Sequence, residues 1–363
     1  MGEAARWICL SNVPNLGPRR IATVFRQAGS IDYFFSGDTA KLSDILHTKE
    51  ETIKKMVDAV DFHKGKEAWE FCRRRGIQVM TLADTKYPKL LAEIYDPPPV
   101  LYYQGNLPQN DLLAVVGSRK ATRYGKVATG NLVPELSRAG LGIVSGLARG
   151  IDSFAHQACL DANGYTIAVL GNGVDVYYPS VNRDLQRSIA KGGGCVLSEF
   201  PPGTRPQAHH FPRRNRIISG LAQGLLVVEA GLKSGAMISV SFALEQGRDV
   251  FAVPGNIDSP QSAGTNHLIR LGAKPALSVT DILEEYGLDL PLARSHAAAS
   301  DALSPDEAEI MASVDQGATV DELCYRLNLP GRVVLARLVA LELKGLVQRL
   351  PGQKYIRSSG TEV

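Results

Sequence analysis

The fold is decided by a stretch that reads LLAVVGSRKATRYG and runs from Leu112 to Gly125. In it, five apolar residues of strand length end at a glycine, and a helical pattern follows. The same arrangement recurs along the chain as far as residue 283. The apolar runs are Leu112–Val116, Leu141–Val144, Thr166–Leu170, Cys195–Leu197, Leu225–Val228 and Val250–Val253. Apolar strands that alternate with helices are typical of a parallel sheet covered on both faces, so we predict an α/β fold with an extended Rossmann-like, doubly wound, mostly parallel sheet.

The sequence predicts further domains on both sides of this sheet. Residues 1–95 show the apolar spacing of short helices, so we assign them to a helical domain and residues 96–287 to the sheet domain. Residues 288–304 are mostly small and polar, which is typical of a linker. In residues 305–363 we predict three helices, at about 305–314, 319–327 and 331–344, and a hairpin around Pro351 and Gly352, in the order of a winged helix.

The composition restricts the classes of protein to which the chain can belong. The chain has 363 residues, of which 44% are hydrophobic and 21% charged, so it can bury a large core without cross-links and is not disordered throughout. Its five cysteines form no CxxC pair, and we expect most of them to be small buried residues. Neither they nor His209, His210 and His267, which lack a paired spacing, indicate a metal site, and no cofactor is implied. The sequence has no apolar run of the roughly 18 residues that span a membrane and no secretory signal pattern, so the cytoplasm is the expected location.

Positive charge concentrates in the predicted sheet domain. The whole chain carries a formal net charge of +3, but residues 111–280 hold 17 Lys and Arg against 11 Asp and Glu, a net charge of +6. In an open parallel sheet, ligands bind beyond the carboxyl ends of the strands, where helix N-termini expose unpaired N–H groups. Glycines there let a phosphate approach the backbone, and lysines and arginines add full charge. The sequence therefore predicts an anion-binding site at this edge, although it holds neither a GxGxxG fingerprint nor a P-loop.

The candidate phosphate-binding residues belong to segments that follow or precede the predicted strands. They are Gly117, Ser118, Arg119, Lys120, Thr122, Arg123, Ser145, Gly146, Arg149, Gly150, Gly171, Asn172, Gly173, Arg213, Arg214, Asn215, Arg216, Lys233, Ser234 and Gly235. For any single glycine, tight turning or close helix packing is an equally good explanation. Asp152 is expected to cap the helix that begins beside it rather than to act in acid–base chemistry. The three arginines between 213 and 216 cannot all lie in the core, so some must reach solvent or an anion.

Taken together, these segments resemble the DNA-processing protein A family, DprA, also called Smf. The motifs that carry the resemblance are GSRKATRYG from Gly117, SGLARGID from Ser145, GNGVDVYYP from Gly171, SEFPPG from Ser198, FPRRNRIISGL from Phe211, VVEAGLKSGAMIS from Val227, FAVPGN from Phe251 and GTNHLIRLGA from Gly264. The resemblance implies a bacterial cytoplasmic protein that binds single-stranded DNA, protects it and loads the RecA recombinase onto it during natural transformation. It also implies a homodimer.

The resemblance further implies a pocket at the strand ends. It places there Arg119, Gly146, Arg149, Gly171, Arg214 and Arg216. Several family members have a lysine directly after the Tyr-Pro of the third loop, where this chain has Ser180. A strand bound without sequence preference needs a cationic track and flat partners for its bases. Candidates for stacking are Tyr124, Tyr177, Tyr178 and Phe211, although aromatic residues serve at least as often as core.

The flanking domains carry weaker signals. Residues 13–18 resemble a helix-hairpin-helix turn, but Asn15 replaces its first glycine, so we favour a SAM-like module without strong DNA binding. The tail resembles the winged-helix, DML1-like domain of some family members. Its third helix has only Arg332, Arg337 and Lys344 as basic residues, so contact with a partner explains it at least as well as duplex reading does.

Two other functions compete with binding of single-stranded DNA. One is a nucleotide-processing enzyme that resembles the cytokinin-activating phosphoribohydrolases and would use Glu229 or Glu199, or Asp152 with His156, as acid and base. The PGGxGTxxE signature of those enzymes is missing, so we predict a protein that is not an enzyme. The other is a regulator that binds duplex DNA through the winged helix.

Overall fold

The computed structural model describes residues 2–108, 111–288, 305–314, 317–343, 346–350 and 354–357. These residues form two compact units, of which the first ends at residue 288 and the second begins at residue 305. Residues 289–304 of the predicted linker, and the turn predicted at Pro351 and Gly352, lie outside the described residues.

The first unit begins with helices and continues as an α/β sheet. The helices are α1 (Glu3–Ser11), α2 (Gly17–Ala28), α3 (Tyr33–Ser36), α4 (Thr39–Leu46), α5 (Glu50–Asp58) and α6 (Phe62–Arg74). They are followed by β1 (Gln78–Thr81), α7 (Lys89–Glu93) and β2 (Val100–Gly105). The alternating part holds β3 (Leu112–Val116), α8 (Arg123–Arg138), β4 (Gly142–Ser145), α9 (Ile151–Asp161), β5 (Thr166–Leu170), α10 (Arg183–Lys191), β6 (Cys195–Ser198), α11 (His210–Leu221), β7 (Gly224–Val227), α12 (Ala236–Glu245) and β8 (Asp249–Ala252). The last elements are α13 (Ala263–Arg270), β9 (Lys274–Pro275) and α14 (Thr280–Leu283).

These strands form one sheet in the order β1-β2-β6-β5-β4-β3-β7-β8-β9. The strands from β3 to β9 run parallel, which confirms the predicted strands and the mostly parallel sheet. Strands β1 and β2 extend one edge in antiparallel pairing. The sequence analysis did not predict these two strands: β1 lies within residues 1–95, which were assigned to a helical domain, and β2 directly follows a run of prolines.

The two faces of the sheet carry separate cores. Along β3, Leu113 and Val115 pack on one face with apolar residues of α8, α9 and α14. Ala114 and Val116 belong to the core of the other face, which includes α11, α12 and, from the N-terminal helices, Trp7. Because successive residues of a strand point to opposite faces, a strand buried on both sides is apolar throughout. The N-terminal helices therefore share their core with one face of the sheet.

The second unit has the element order expected of a winged helix. Its elements are α15 (Pro305–Ser313), β10 (Ala318–Thr319), α16 (Val320–Leu327), α17 (Gly331–Leu343), β11 (Val347–Leu350) and β12 (Lys354–Arg357). The three strands pair antiparallel in the order β10-β12-β11. Thr319 and Glu322 form a capping box at the start of α16, and Ile310, Leu323 and Leu338 are fully buried between the elements. The helices and hairpin strands predicted for this tail are thus confirmed.

The cysteines behave as small core residues. Cys9, Cys72, Cys159 and Cys195 are buried, and Cys324 is partly buried, which confirms the expectation for most of them. Among the helices of the described ranges, none is long and apolar enough to cross a membrane.

A histidine on α9 makes the stability of the first unit depend on pH. The ring of His156 is completely buried, with Nδ1 2.7 Å from the hydroxyl oxygen of Thr166. Burial lowers the pKa of His156 to about 3, whereas the unfolded chain has a histidine pKa of about 6.5. Between these two values only the unfolded state binds the proton. We therefore expect His156 to lower the free energy of unfolding by about 1.4 kcal/mol for each pH unit of acidification in that window.

Urea denaturation of the wild type and of His156→Gln at several pH values below 6.5 measures this contribution. The variant lacks the titrating group, so its free energy of unfolding should depend less steeply on pH, by about 1.4 kcal/mol per unit. Equal slopes for the two proteins would contradict the prediction.

Candidate functional site

The sheet reverses its direction of growth at β3. Strands β4, β5 and β6 add successively on one side of β3, and the chain then crosses to place β7 and β8 on the other side. In open α/β sheets, the ligand crevice lies outside the carboxyl ends of the strands at such a switch point. Here the loops after β3, β4, β5 and β7 meet the first turns of α11 at that edge.

Two cavities open at this edge, and together they are called the switch-point groove. The first has a volume of about 330 Å³ and is bounded by the loops after β3 and β7. The second has a volume of about 450 Å³ and is bounded by the loops after β4 and β5. Arg119, Ala148, Phe211 and Arg214 line both cavities, so the two adjoin.

A buried guanidinium lies where the two cavities meet. Arg214 on α11 is only 3% exposed, and its Nη1 donates a hydrogen bond to the carbonyl oxygen of Val169 in β5. Burial lowers the pKa of Arg214 to about 10, while the charge of Asp152 opposes the shift, so the side chain remains protonated at neutral pH. A Cβ atom at Gly146 would overlap the guanidinium. The glycine after β4 is therefore required by the approach of Arg214.

Asp152 does not cap α9 as the sequence predicted. The N-cap of α9 is Gly150, which has a φ of 79° and no capping side chain. Asp152 is the second residue of α9, and its carboxylate accepts a 3.4 Å hydrogen bond from the N–H of Ala148. Burial raises the pKa of Asp152, and the charge of Arg214 acts in the opposite direction. The charges of Asp152 and Arg214 thus act on each other, while the hydrogen bond of the carboxylate goes to the backbone.

Exposed cations and aromatic rings border the groove. Arg119 and Arg149 are exposed residues that line the second cavity. The guanidinium carbon of Arg119 lies 5.7 Å from the ring centre of Phe211, and the rings of Phe211 and Tyr178 lie 5.5 Å apart at a 32° tilt. Tyr177 lines the same cavity. Cations therefore lie beside aromatic rings that line the same cavity, so an anion and a flat ligand group can be bound next to each other there.

One predicted stacking residue lies elsewhere. Tyr124 does not line the switch-point groove, because its hydroxyl donates a 2.6 Å hydrogen bond to the carbonyl oxygen of Pro254 beyond β8. Tyr177, Tyr178 and Phe211 are thus the aromatic candidates that the groove contains.

The loop after β3 is held in place by a buried carboxylate. The side chain of Glu229, two residues beyond β7, accepts hydrogen bonds from the N–H and the hydroxyl of Thr122. The carbonyl oxygen of Glu229 accepts a 2.7 Å hydrogen bond from the N–H of Ser118. Thr122 also caps α8 through the N–H of Gly125. Thr122 and Glu229 thus position the cationic loop, and neither lines the groove.

The groove brings together many of the predicted residues. They are Gly117, Ser118, Arg119, Lys120, Gly146, Arg149, Gly171, Asn172, Arg214, Asn215, Ser234 and Gly235. Segments that are distant in sequence converge because parallel strands end at the same edge of the sheet. The predicted residues that line neither cavity are Thr122, Arg123, Ser145, Gly150, Gly173, Arg213, Arg216 and Lys233.

Two arginines of α11 are held by acids instead of facing the groove. Arg216 is 2% exposed, and its guanidinium lies 2.6 Å from Glu199 and 3.0 Å from Asp96. Arg213 is exposed and lies 2.8 Å from the same Glu199 carboxylate oxygen. The expectation that Arg216 is available to a phosphate is therefore wrong, because its charge is matched inside the protein.

The other predicted residues outside the groove have local roles or face solvent. The Ser145 hydroxyl donates a 2.6 Å hydrogen bond to a carbonyl oxygen of β3. Gly150 supplies the positive φ before α9. The N–H of Gly173 donates a 3.0 Å hydrogen bond to the carbonyl oxygen of Thr204 in a neighbouring loop. Arg123 and Lys233 are exposed, and in the sequence they lie next to segments that line the groove.

Some lining residues were not predicted. Ala148, Ile238 and Ser239 line the first cavity. Ala148 lies between predicted site residues and lacks polar chemistry, while the other two lie on α12. No sequence signal distinguishes them from ordinary helix and loop residues.

The sequence matches a family model described as DNA recombination-mediator protein A over residues 78–287, which is more than half of the chain. The chain belongs to the DprA family. A second model, the DprA winged helix domain, matches residues 294–353. The family resemblance and the fold class that the sequence indicated are thereby confirmed.

Relatives and solved structures support the same assignment. Protein Smf of Synechocystis is 34% identical over 394 residues, which cover 98% of this chain and 99% of that protein. DprA of Bacillus subtilis is 46% identical over 216 residues, or 59% of this chain and 72% of that protein. The X-ray structure of DprA from Streptococcus pneumoniae has a TM-score of 0.67 and 37% identity, and covers 78% of this chain and 99% of that one. A structure that addresses the single-stranded DNA binding mode of Helicobacter pylori DprA has a TM-score of 0.52 and 31% identity, with 58% and 95% coverage.

Removing Glu199 should destabilise the fold. The Glu199→Ala variant leaves the buried Arg216 with only Asp96, which is partly exposed. Breaking a buried ion pair from one side costs about 3–5 kcal/mol, so we expect a loss of that size in the free energy of unfolding measured with urea. Glu135→Ala, which removes an exposed carboxylate of α8, is the matched control and should change stability by less than about 0.5 kcal/mol. A loss for Glu199→Ala as small as that of the control would contradict this prediction.

Proposed function

We propose that the chain binds single-stranded DNA, without sequence preference, in the switch-point groove. The observation that carries this proposal is the convergence of Arg119, Arg149 and Arg214 on one groove that also exposes aromatic rings. A cationic track beside stacking platforms is the arrangement that unpaired nucleic acid requires.

Each part of the groove fits one part of a nucleotide. Phosphates would contact Arg119, Arg149 and Lys120 through charge-assisted hydrogen bonds. Bases would stack on Phe211 and its aromatic neighbours, which accept any base because every base has a π face. The single-stranded DNA binding mode described for the Helicobacter pylori relative supports the same class of ligand for this chain.

In our proposal the groove binds DNA and does not catalyse a reaction. The acids that a phosphoribohydrolase would use are engaged in the structure, since Glu229 holds Thr122 and Glu199 pairs with Arg213 and Arg216. His156 lies fully buried against a hydroxyl. An enzyme of that class would release free base from nucleoside monophosphates. Base release that disappears in Glu229→Gln while the variant still folds would contradict a binding-only role.

The wider role that we propose follows the DprA family. The chain would protect incoming DNA in the cytoplasm during natural transformation, load RecA onto it, and act as a homodimer. We also propose that residues 1–95, 96–287 and 305–363 are separate domains in function, with 288–304 as a linker.

Exposed arginines of the groove should control the affinity for single strands. We expect Arg119→Gln and Arg149→Gln each to weaken binding to oligothymidylate by about 1–3 kcal/mol, because each removes a charge-assisted hydrogen bond to a phosphate. The slope of log affinity against log salt should become shallower by about 0.7 for each phosphate that the variant no longer neutralises. Fluorescence anisotropy over a range of salt concentrations measures both quantities.

The control is Arg138→Gln, at the far end of α8 from the groove, which removes an equal exposed charge. It should leave the affinity nearly unchanged. Tight binding to duplex DNA that survives Arg119→Gln but is abolished in Arg332→Gln of the winged helix would favour the duplex-binding regulator instead.

A further inference from the structure

A second group of cations lies outside the groove, on α10. Arg183 and Arg187 are exposed, and their guanidinium carbons lie 4.9 Å and 5.1 Å from the ring centre of Tyr177. The Nε of Arg187 also donates a 3.3 Å hydrogen bond to the Tyr177 hydroxyl. Because Tyr177 itself lines the second cavity, one ring joins the groove to the two arginines.

The charges of these arginines are not consumed by the fold. Arg187 has one acidic neighbour, Asp184, at 3.8 Å, and that side chain is 95% exposed. An exposed pair at this distance contributes little and is easily exchanged for another anion. Among the described residues, Arg183 forms no ion pair with an acid within 4 Å. Both guanidinium groups are therefore open to a phosphate.

The groove has no charge of its own on this side. The cations that line the second cavity are Arg119, Arg149 and Arg214, which come from the loops after β3 and β4 and from α11. The loop after β5 contributes uncharged residues to the lining, among them Tyr177 and Ser180. Arg183 and Arg187 of α10 are cations that lie beside this loop, because both contact Tyr177.

Three aromatic residues connect Arg119 of the groove to that helix, partly through ring contacts and partly through the chain. The ring of Phe211 lies beside Arg119 and 5.5 Å from that of Tyr178, and Tyr177 directly precedes Tyr178 in the chain. Arg183 and Arg187 are four residues apart, so they lie on the same face of α10, about one helical turn from each other. Outside the cavity, two cations one helical turn apart thus lie beside an aromatic ring. This is the same combination of ring and cation that is found within the cavity.

We propose that a bound single strand continues out of the switch-point groove across Tyr177 and onto α10, where Arg183 and Arg187 bind its next phosphates. This extension rests on the proposed function, since it lengthens the same site. The ligand is the sugar-phosphate backbone of unpaired DNA, and the consequence is a binding site longer than the cavities themselves.

The length of the oligonucleotide separates the two parts of the site. Oligothymidylates of about 6 and about 20 nucleotides lie near the lower end and above the upper end of the roughly 4–16 nucleotides that one OB fold covers. In fluorescence anisotropy, Arg183→Gln/Arg187→Gln should bind the short oligonucleotide within about twofold of the wild type and the long one about tenfold more weakly. The salt slope for the long oligonucleotide should become shallower by about 1.4, or about 0.7 for each of two phosphates.

A matched control and a charge-restoring variant complete the experiment. Arg74→Gln/Arg138→Gln removes two exposed charges from the ends of α6 and α8, which precede the amino ends of β1 and β4 and so lie at the opposite edge of the sheet. This control should match the wild type at both lengths. Arg183→Lys/Arg187→Lys keeps both charges and should recover most of the affinity for the long oligonucleotide.

The possible results separate the extension from the groove. Equal losses at both lengths would show that the arginines only position Tyr177, and no loss at either length would show that the strand does not reach α10; each result overturns the extension. If the wild type does not bind the long oligonucleotide, or binds it independently of Arg119 and Arg149, the proposed function itself fails.

Discussion

The site depends on one buried guanidinium that cannot be solvated by water. Arg214 points from α11 into the carboxyl edge of the sheet, where a β5 carbonyl oxygen and the nearby Asp152 offset the cost of burying its charge. Arg214 lines both cavities, and its hydrogen bond to Val169 ties α11 to β5. Phe211, one turn earlier on that helix, is thereby held beside Arg119. The requirement for glycine at position 146 follows from the same approach.

The three arginines of α11 have different roles because the helix points them in different directions. Each residue of a helix is rotated by about 100° from the one before, so Arg213, Arg214 and Arg216 cannot face one direction. Arg214 faces the groove, whereas Arg213 and Arg216 meet Glu199. A count of basic residues in the sequence therefore overstates the positive charge that a ligand encounters. Arg119, Arg149 and Lys120 are exposed. Unlike Arg213 and Arg216, they are not paired with Glu199, so their positive charge is available to a ligand.

Much of the fold was predictable from local pattern, and the limits have physical causes. The parallel strands are buried on both faces, so continuous apolar runs marked them, but the antiparallel strands β1, at the edge of the sheet, and β2, beside it, were missed. The convergence of glycines and cations followed from the rule for strand ends. The ion pairs of Arg216 could not be predicted in this way. Its partners Glu199 and Asp96 are separated from it by 17 and 120 residues, and no spacing rule connects them. The role of Glu229 in holding Thr122 was hidden for the same reason.

The shared core between the N-terminal helices and the sheet limits how this polypeptide can be shortened. Trp7 and Leu91 belong to the same apolar cluster as Val116 and Ile218. A protein translated from a later start codon, beyond α7, would leave that hydrocarbon surface facing solvent and prone to self-association. Gene truncations at the 5′ end are therefore expected to be tolerated far less well than losses at the 3′ end, where the winged helix closes a core of its own.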